Sequence, residues 1–153
     1  MRSLSILTVV AAAWCLPVDG APLDVTFTGI VVDTCTIAVT TPGVMVLSND
    51  GTIMGSAQGL GVPATVTILS IGTNTVELEP PTLETYPPEY TPGDETLELN
   101  TTGLASNPIF TSLGLDFLVG LLPISELFVN LRMTNPDGFA QGIYTAKTVL
   151  TCS

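Results

Sequence analysis

The side chains that most often carry out chemistry in proteins are scarce in this sequence. Its 153 residues include no histidine, which removes the usual general base, the usual zinc ligand and the Ser-His and Cys-His nucleophile pairs. Glu77 and Glu79 are close enough in sequence to suggest the carboxylate pair of a glycosidase. They alternate with apolar residues, however, and this pattern favours the solvent-facing side of a strand. We therefore expect a protein that is not an enzyme and needs no cofactor.

The charge balance restricts the partners. The chain has 14 acidic and 3 basic residues, for a formal net charge of -11, so phosphate repulsion excludes nucleic acid. A calcium site would need several oxygen ligands in one loop, and no D-x-D-x-D-G run occurs. The acidic residues are therefore expected to keep the surface soluble, and calcium binding by the acidic loops is the less favoured alternative.

The first twenty residues resemble a secretory signal rather than part of the fold. Arg2 gives a positive start, residues 4–16 are apolar, and cleavage is expected after Gly20. The apolar run is too short to span a bilayer, so no membrane span is predicted. A lipoprotein signal at Cys15 is the less favoured alternative, because Trp14 stands where such signals have a small residue. Residues 21–153 are then one secreted domain.

Two cysteines, Cys35 and Cys152, remain after cleavage. Exported proteins fold in an oxidising compartment, which predicts one disulfide between them. The alternative is a reactive thiol, but no histidine is available to lower a cysteine pKa.

Alternating apolar and polar residues dominate the rest of the chain. In residues 127–134 the apolar residues Leu127, Val129, Leu131 and Met133 share one face, and residues 143–152 alternate in the same way. Glycine and proline separate further strand candidates at 43–47, 64–71, 74–79, 95–100 and 113–119. About eight short strands predict an all-β, antiparallel β-sandwich.

Residues 77–98 differ from the rest because they are rich in glutamate and proline. Proline donates no ladder hydrogen bond, so the middle of this segment cannot form a central strand. A solvated loop is the simpler interpretation. A recognition loop with Tyr86 and Tyr90 as exposed contact groups is the functional one.

Both ends of the mature chain resemble a known family. The sequence Val-Thr-Phe-Thr-Gly-Ile-Val-Val-Asp-Thr-Cys-Thr-Ile at 25–37 is similar to the first strand of type 1 fimbrial pilins. Gly-Ile-Tyr-Thr-Ala at 142–146 is similar to the closing strand of pilins and spore-coat-U-like secreted proteins. The matching positions are Phe27, Gly29, Val31, Val32, Cys35 and Tyr144.

The resemblance implies an immunoglobulin-like sandwich in the periplasm or on the bacterial cell surface. Such a sandwich often lacks one strand, which an assembly chaperone and then another surface subunit supply by β-strand addition. Here only residues 21–24 precede the first strand, and the cysteine pairing differs from that of pilins. These departures favour a terminal or self-complete subunit.

The sequence therefore predicts a secreted, pilin-like structural or adhesive protein. The alternative is a soluble extracellular module that binds a glycan or a small ligand.

Overall fold

The computed structural model describes residues 34–120 and 122–153, which form antiparallel β-sheets without any helix. The twelve strands are β1 (Thr34–Thr41), β2 (Val46–Leu47), β3 (Ile53–Gly55), β4 (Ala64–Ile71), β5 (Asn74–Leu78), β6 (Thr82–Thr85), β7 (Thr96–Gly103), β8 (Asn107–Thr111), β9 (Leu115–Val119), β10 (Leu122–Thr134), β11 (Thr145–Lys147) and β12 (Leu150–Cys152). The all-β prediction is confirmed. The predicted signal peptide and the motif residues Phe27, Gly29, Val31 and Val32 lie outside the described residues.

The large sheet is built around β10, which has 13 residues. One side of β10 pairs first with β4 and then with β3, and the other side pairs with β7. Beyond these neighbours, β1 pairs with β4, β2 with β3, and β8 with β7. The long strand β10 thus pairs with three strands, and the other three strands of the sheet pair with those.

The facing strands belong to two smaller sheets. One has the order β12-β5-β9 and the other pairs β11 with β6. The chain passes between these two small sheets twice, from β5 to β6 and from β11 to β12. Both connections are short.

The core lies between these layers. The period-two pattern of β10 is confirmed, because Leu127, Val129 and Met133 are buried. From β4 and β5, Ile68 and Leu78 are fully buried in the same core. Burying side chains of this size stabilises the fold by about 1.5–3 kcal/mol each.

The predicted disulfide is confirmed. Cys35 in β1 is bonded to Cys152 in β12, with their Cα atoms 6.0 Å apart. Because β1 belongs to the large sheet and β12 to a small one, the bond joins the two layers. The result is a β-sandwich-like arrangement.

The predicted number of strands, about eight, is too low. The segment 143–152 divides into β11 and β12, while β3, β6 and β8 were not predicted at all. In β8, the dipeptide Asn107-Pro108 is typical of a turn, yet it begins a strand. Among the described residues β8 pairs only with β7, so it is an edge strand. Proline is tolerated in an edge strand where the N–H that it lacks would face solvent rather than a neighbouring strand.

Candidate functional site

An apolar groove of about 720 Å³ opens along one side of the sandwich. One wall comes from residues 39–47, which include the end of β1 and all of β2, and the other from residues 142–150, which include β11. The core residues Val66, Leu78 and Val129 line its floor. The interior of the sandwich is thus accessible between these two walls.

Both walls are edges of sheets. Among the described residues, β1 pairs only with β4 and β2 only with β3, while β11 pairs only with β6 and β12 only with β5. An edge strand presents backbone N–H and C=O groups that can accept another strand. Within the described part of the chain, the groove therefore lies between two strand edges that have no partner on this side.

The wall formed by residues 39–47 exposes several apolar side chains. Val39, Val44 and Leu47 are 65%, 49% and 44% exposed, and Met45 also lines the groove. Methionine is flexible and adapts to different neighbours. A contiguous exposed apolar surface of this kind is typical of an interaction site.

The groove contains almost no charge. Lys147 is the only charged side chain among its lining residues, and its Nζ donates a hydrogen bond to Glu84. No carboxylate of the residues that the structure describes lines the groove. An occupant must therefore present uncharged, apolar side chains to it.

The opposite wall rests on a cluster of aromatic side chains. Tyr144 lines the groove, and its ring centroid lies 5.1 Å from that of Tyr90 and 5.5 Å from that of Phe139. The Tyr90 hydroxyl donates to Glu95 Oε2 at 3.0 Å and accepts from Asn135 Nδ2 at 2.9 Å. The cluster ties the wall to the segment that contains Tyr90 and Glu95, about fifty residues earlier in the chain, and to the turn with Asn135 and Phe139 just before the wall.

The pKa values of this network reflect burial and hydrogen bonding. Burial raises the pKa of Tyr90 to about 12, and the nearby Glu95 carboxylate adds to the effect. Burial raises the pKa of Glu95, but hydrogen bonds donated by the Gly93 N–H and the Tyr90 hydroxyl lower it. The hydrogen bonds prevail, so the net pKa is lowered. Tyr90 is thus a neutral donor and Glu95 an ionised acceptor at neutral pH.

The prediction that Tyr90 is an exposed contact group is wrong. Tyr90 is only 6% exposed, because it packs against Tyr144 and Phe139. Tyr86 is 44% exposed and meets Tyr90 edge to face at 6.0 Å. The segment 77–98 also contains the short strand β6, so it is more than a loop.

Gly142 allows the wall and the proline-rich segment to meet. Its φ is +154°, and a Cβ atom built on it would lie 2.5 Å from Cβ of Pro87. Only glycine fits this contact without a shift of Pro87. This gives a physical reason for the glycine that precedes Tyr144 by two residues.

The sequence-predicted residues are thus only partly brought together. Tyr144 lines the groove, whereas Cys35 and Cys152 lie beyond its end and do not line it. Glu77 and Glu79 are exposed, as predicted, on and just after β5. The apolar wall at 39–47 was not predicted as a site. Its apolar residues would look the same in the sequence whether they were buried in the core or lined a groove.

Other kinds of site have no support in the described ranges 34–120 and 122–153. They contain no group of three or more cysteine or acidic residues placed to hold a metal ion. None of their elements is a helix long and apolar enough to cross a membrane.

Comparison of the chain with models of known protein families and with curated proteins finds no match.

Proposed function

We propose that this protein is a secreted, non-catalytic, pilin-like structural or adhesive subunit of a bacterial surface, and that its groove accepts a β-strand from a partner chain. The observation that carries the proposal is the groove itself, an opening to the core between two strand edges that have no partner within residues 34–120 and 122–153. The partner is another surface subunit or an assembly chaperone. The similarity of residues 25–37 and 142–146 to pilin sequences supports the same function.

The geometry favours a strand over a compact ligand. A volume of about 720 Å³ also falls within the usual range for small-ligand pockets, about 300–1,000 Å³. A pocket of that kind has a few convergent polar groups, whereas the lining here is apolar apart from Lys147 and a few serine and threonine residues. A strand would use both the apolar floor and the backbone groups of the walls. The glycan or small-ligand module is therefore the second candidate.

The groove also bears on whether the subunit is self-complete. Within residues 34–120 and 122–153 no strand pairs with the edges of the groove, so the proposed function requires a strand from outside this part of the chain. The disulfide does not replace that strand, because it joins the layers beyond the end of the groove.

A fused strand tests the proposal directly. A strand of alternating valine and threonine is attached after Ser153 in the secreted mature chain. The flexible glycine–serine linker has about thirty residues, enough to span the length of the groove from Ser153 to its open end. We expect the free energy of unfolding to rise by at least about 2 kcal/mol, the value of burying one valine or leucine side chain. The measurement is urea denaturation, and the control is the same extension with aspartate in place of valine.

Two variants locate the effect. Val39→Lys places a charge on the groove wall, and Leu118→Lys places one on β9, where Leu118 is 75% exposed and does not line the groove. The gain from the fused strand should disappear in the first variant and persist in the second. Equal gains in both variants, or none in the parent chain, would disprove strand acceptance at this groove.

A further inference from the structure

We propose that the Cys35–Cys152 disulfide closes one end of the groove, and so limits the partner segment to about nine residues with basic side chains on its outward face. This inference rests on the proposed strand-accepting function. It adds the length, the direction of entry and the charge of the partner.

The disulfide and its neighbours fill the space between the two walls at one end. Cys35, Ile37, Leu150 and Cys152 all pack against the buried core. Groove lining begins only at Val39 in β1, and on the opposite wall it stops at Leu150. The covalent bond therefore holds the two edges together at this end.

The two walls continue away from the disulfide. In β1 the chain runs from Cys35 towards Thr41, and on the other wall it returns from Tyr144 to Cys152. Along the chain, the lining residues furthest from the disulfide on these two walls are Leu47 and Gly142, and we take them to mark the far end. A segment can enter from this far end but cannot extend past the disulfide, since a strand needs about 4.7–4.9 Å on each side.

The walls set the length. Residues 39–47 and 142–150 each cover nine positions. At about 3.3 Å per residue the groove is at most about 30 Å long. Alternate side chains point inward, so a segment of nine residues places four or five apolar side chains on the floor.

Charge indicates what kind of chain provides the segment. Residues 34–153 contain eleven acidic residues and only two basic ones, Arg132 and Lys147. Both are already paired, Arg132 with Glu98 at 2.7 Å and Lys147 with Glu84. Glu79 also lies beside the wall, where its backbone N–H donates to the carbonyl of Val149. A second copy of this chain would bring equal negative charge, so a cationic partner is favoured.

A series of synthetic peptides tests the length. The peptides alternate valine and lysine, range from about five to about thirteen residues, and are titrated into the disulfide-bonded mature chain by fluorescence anisotropy. Affinity should rise about tenfold for each added inward valine up to about nine residues. Beyond nine residues the affinity should stay within about twofold. Because longer peptides also carry more lysines, a matched series whose added residues are valine–serine repeats removes the effect of the added charge.

The charge arm replaces lysine with glutamate at the outward positions of the nine-residue peptide. We expect binding at least about tenfold weaker at low salt, with a smaller difference at high salt. Equal binding of both peptides, or self-association of the chain alone at low salt, would overturn the choice of a cationic partner.

The double variant Cys35→Ser, Cys152→Ser tests whether the disulfide closes the end of the groove. Peptide binding is measured at a temperature where circular dichroism shows that the variant is folded. Peptides of about eleven and thirteen residues should bind it more tightly than the nine-residue peptide. Affinity that keeps rising with length in the disulfide-bonded chain would overturn the closed end while leaving strand acceptance intact. Absence of binding at every length would reject both.

Discussion

Replacing Tyr90 with phenylalanine removes one oxygen atom from the centre of the aromatic cluster and keeps its rings in place. The lost hydroxyl donates to Glu95 and accepts from the side-chain amide of Asn135. Asn135 is 4% exposed, so its freed N–H cannot turn to bulk water. A buried donor left without a partner costs about 1–3 kcal/mol, and we expect the free energy of unfolding to fall by about 2 kcal/mol.

The assay is urea denaturation at neutral pH, with Tyr86→Phe as the matched control. Tyr86 is 44% exposed, so the loss of its hydroxyl should change stability by less than about 0.5 kcal/mol. The two variants make the same chemical change in the same segment. A loss below about 0.5 kcal/mol for Tyr90→Phe would show that the network does not hold the wall of the groove.

The same pair of proteins predicts a pH dependence. The pKa of Tyr90 rises from 10.0 to about 12 on folding. Between pH 10 and 12 the unfolded state releases this proton while the folded state retains it, so stability falls as the pH rises. Two pKa units correspond to about 2–3 kcal/mol. The parent chain should lose this amount and Tyr90→Phe should not, so the stability difference between them should vanish near pH 12.

The remaining predictions concern the disulfide and a glycine. Replacing Cys35 and Cys152 by serine opens a loop with a sequence separation of 117. In the chain-entropy model this should lower the free energy of unfolding by about 4–5 kcal/mol. A loss below about 1 kcal/mol in urea denaturation would contradict this prediction. Gly142→Ala should cost about 1–3 kcal/mol, since its Cβ would meet Pro87 at 2.5 Å. Gly93→Ala is the control, because Gly93 also has a positive φ but nothing lies within 4 Å of its Cβ. Equal losses would mean that backbone strain alone is responsible.

Local pattern was sufficient for the long central strand. In β10 the alternation of apolar and polar residues is regular, and Leu127, Val129 and Met133 are buried as expected. The disulfide followed from there being only two cysteines after the predicted signal peptide. Both predictions depend on information contained within one segment or in a count of residues.

Other features depend on contacts between distant segments. Tyr90 is buried by Phe139 and Tyr144, which lie about fifty residues later, so its own proline-rich surroundings suggested exposure. The strands β3 and β6 are short, and each is defined by its pairing with a distant strand. The groove was not predictable because it depends on which edge has no neighbour, a property of the topology rather than of any one strand.

An opening to the core has a physical consequence for any protein that must stay dispersed until its partner binds. Val39, Val44 and Leu47 are exposed beside strand edges that have no partner in the described part of the chain, a combination that promotes edge-to-edge aggregation. Three features of the chain oppose this: the register shift between Val39 and Thr41, Pro42 directly after β1, and the net charge of -11. These features disfavour pairing of identical copies but leave the apolar floor accessible. A groove protected in this way is suited to a partner that differs from the chain in charge, which is why the lysine and glutamate peptides should bind so differently.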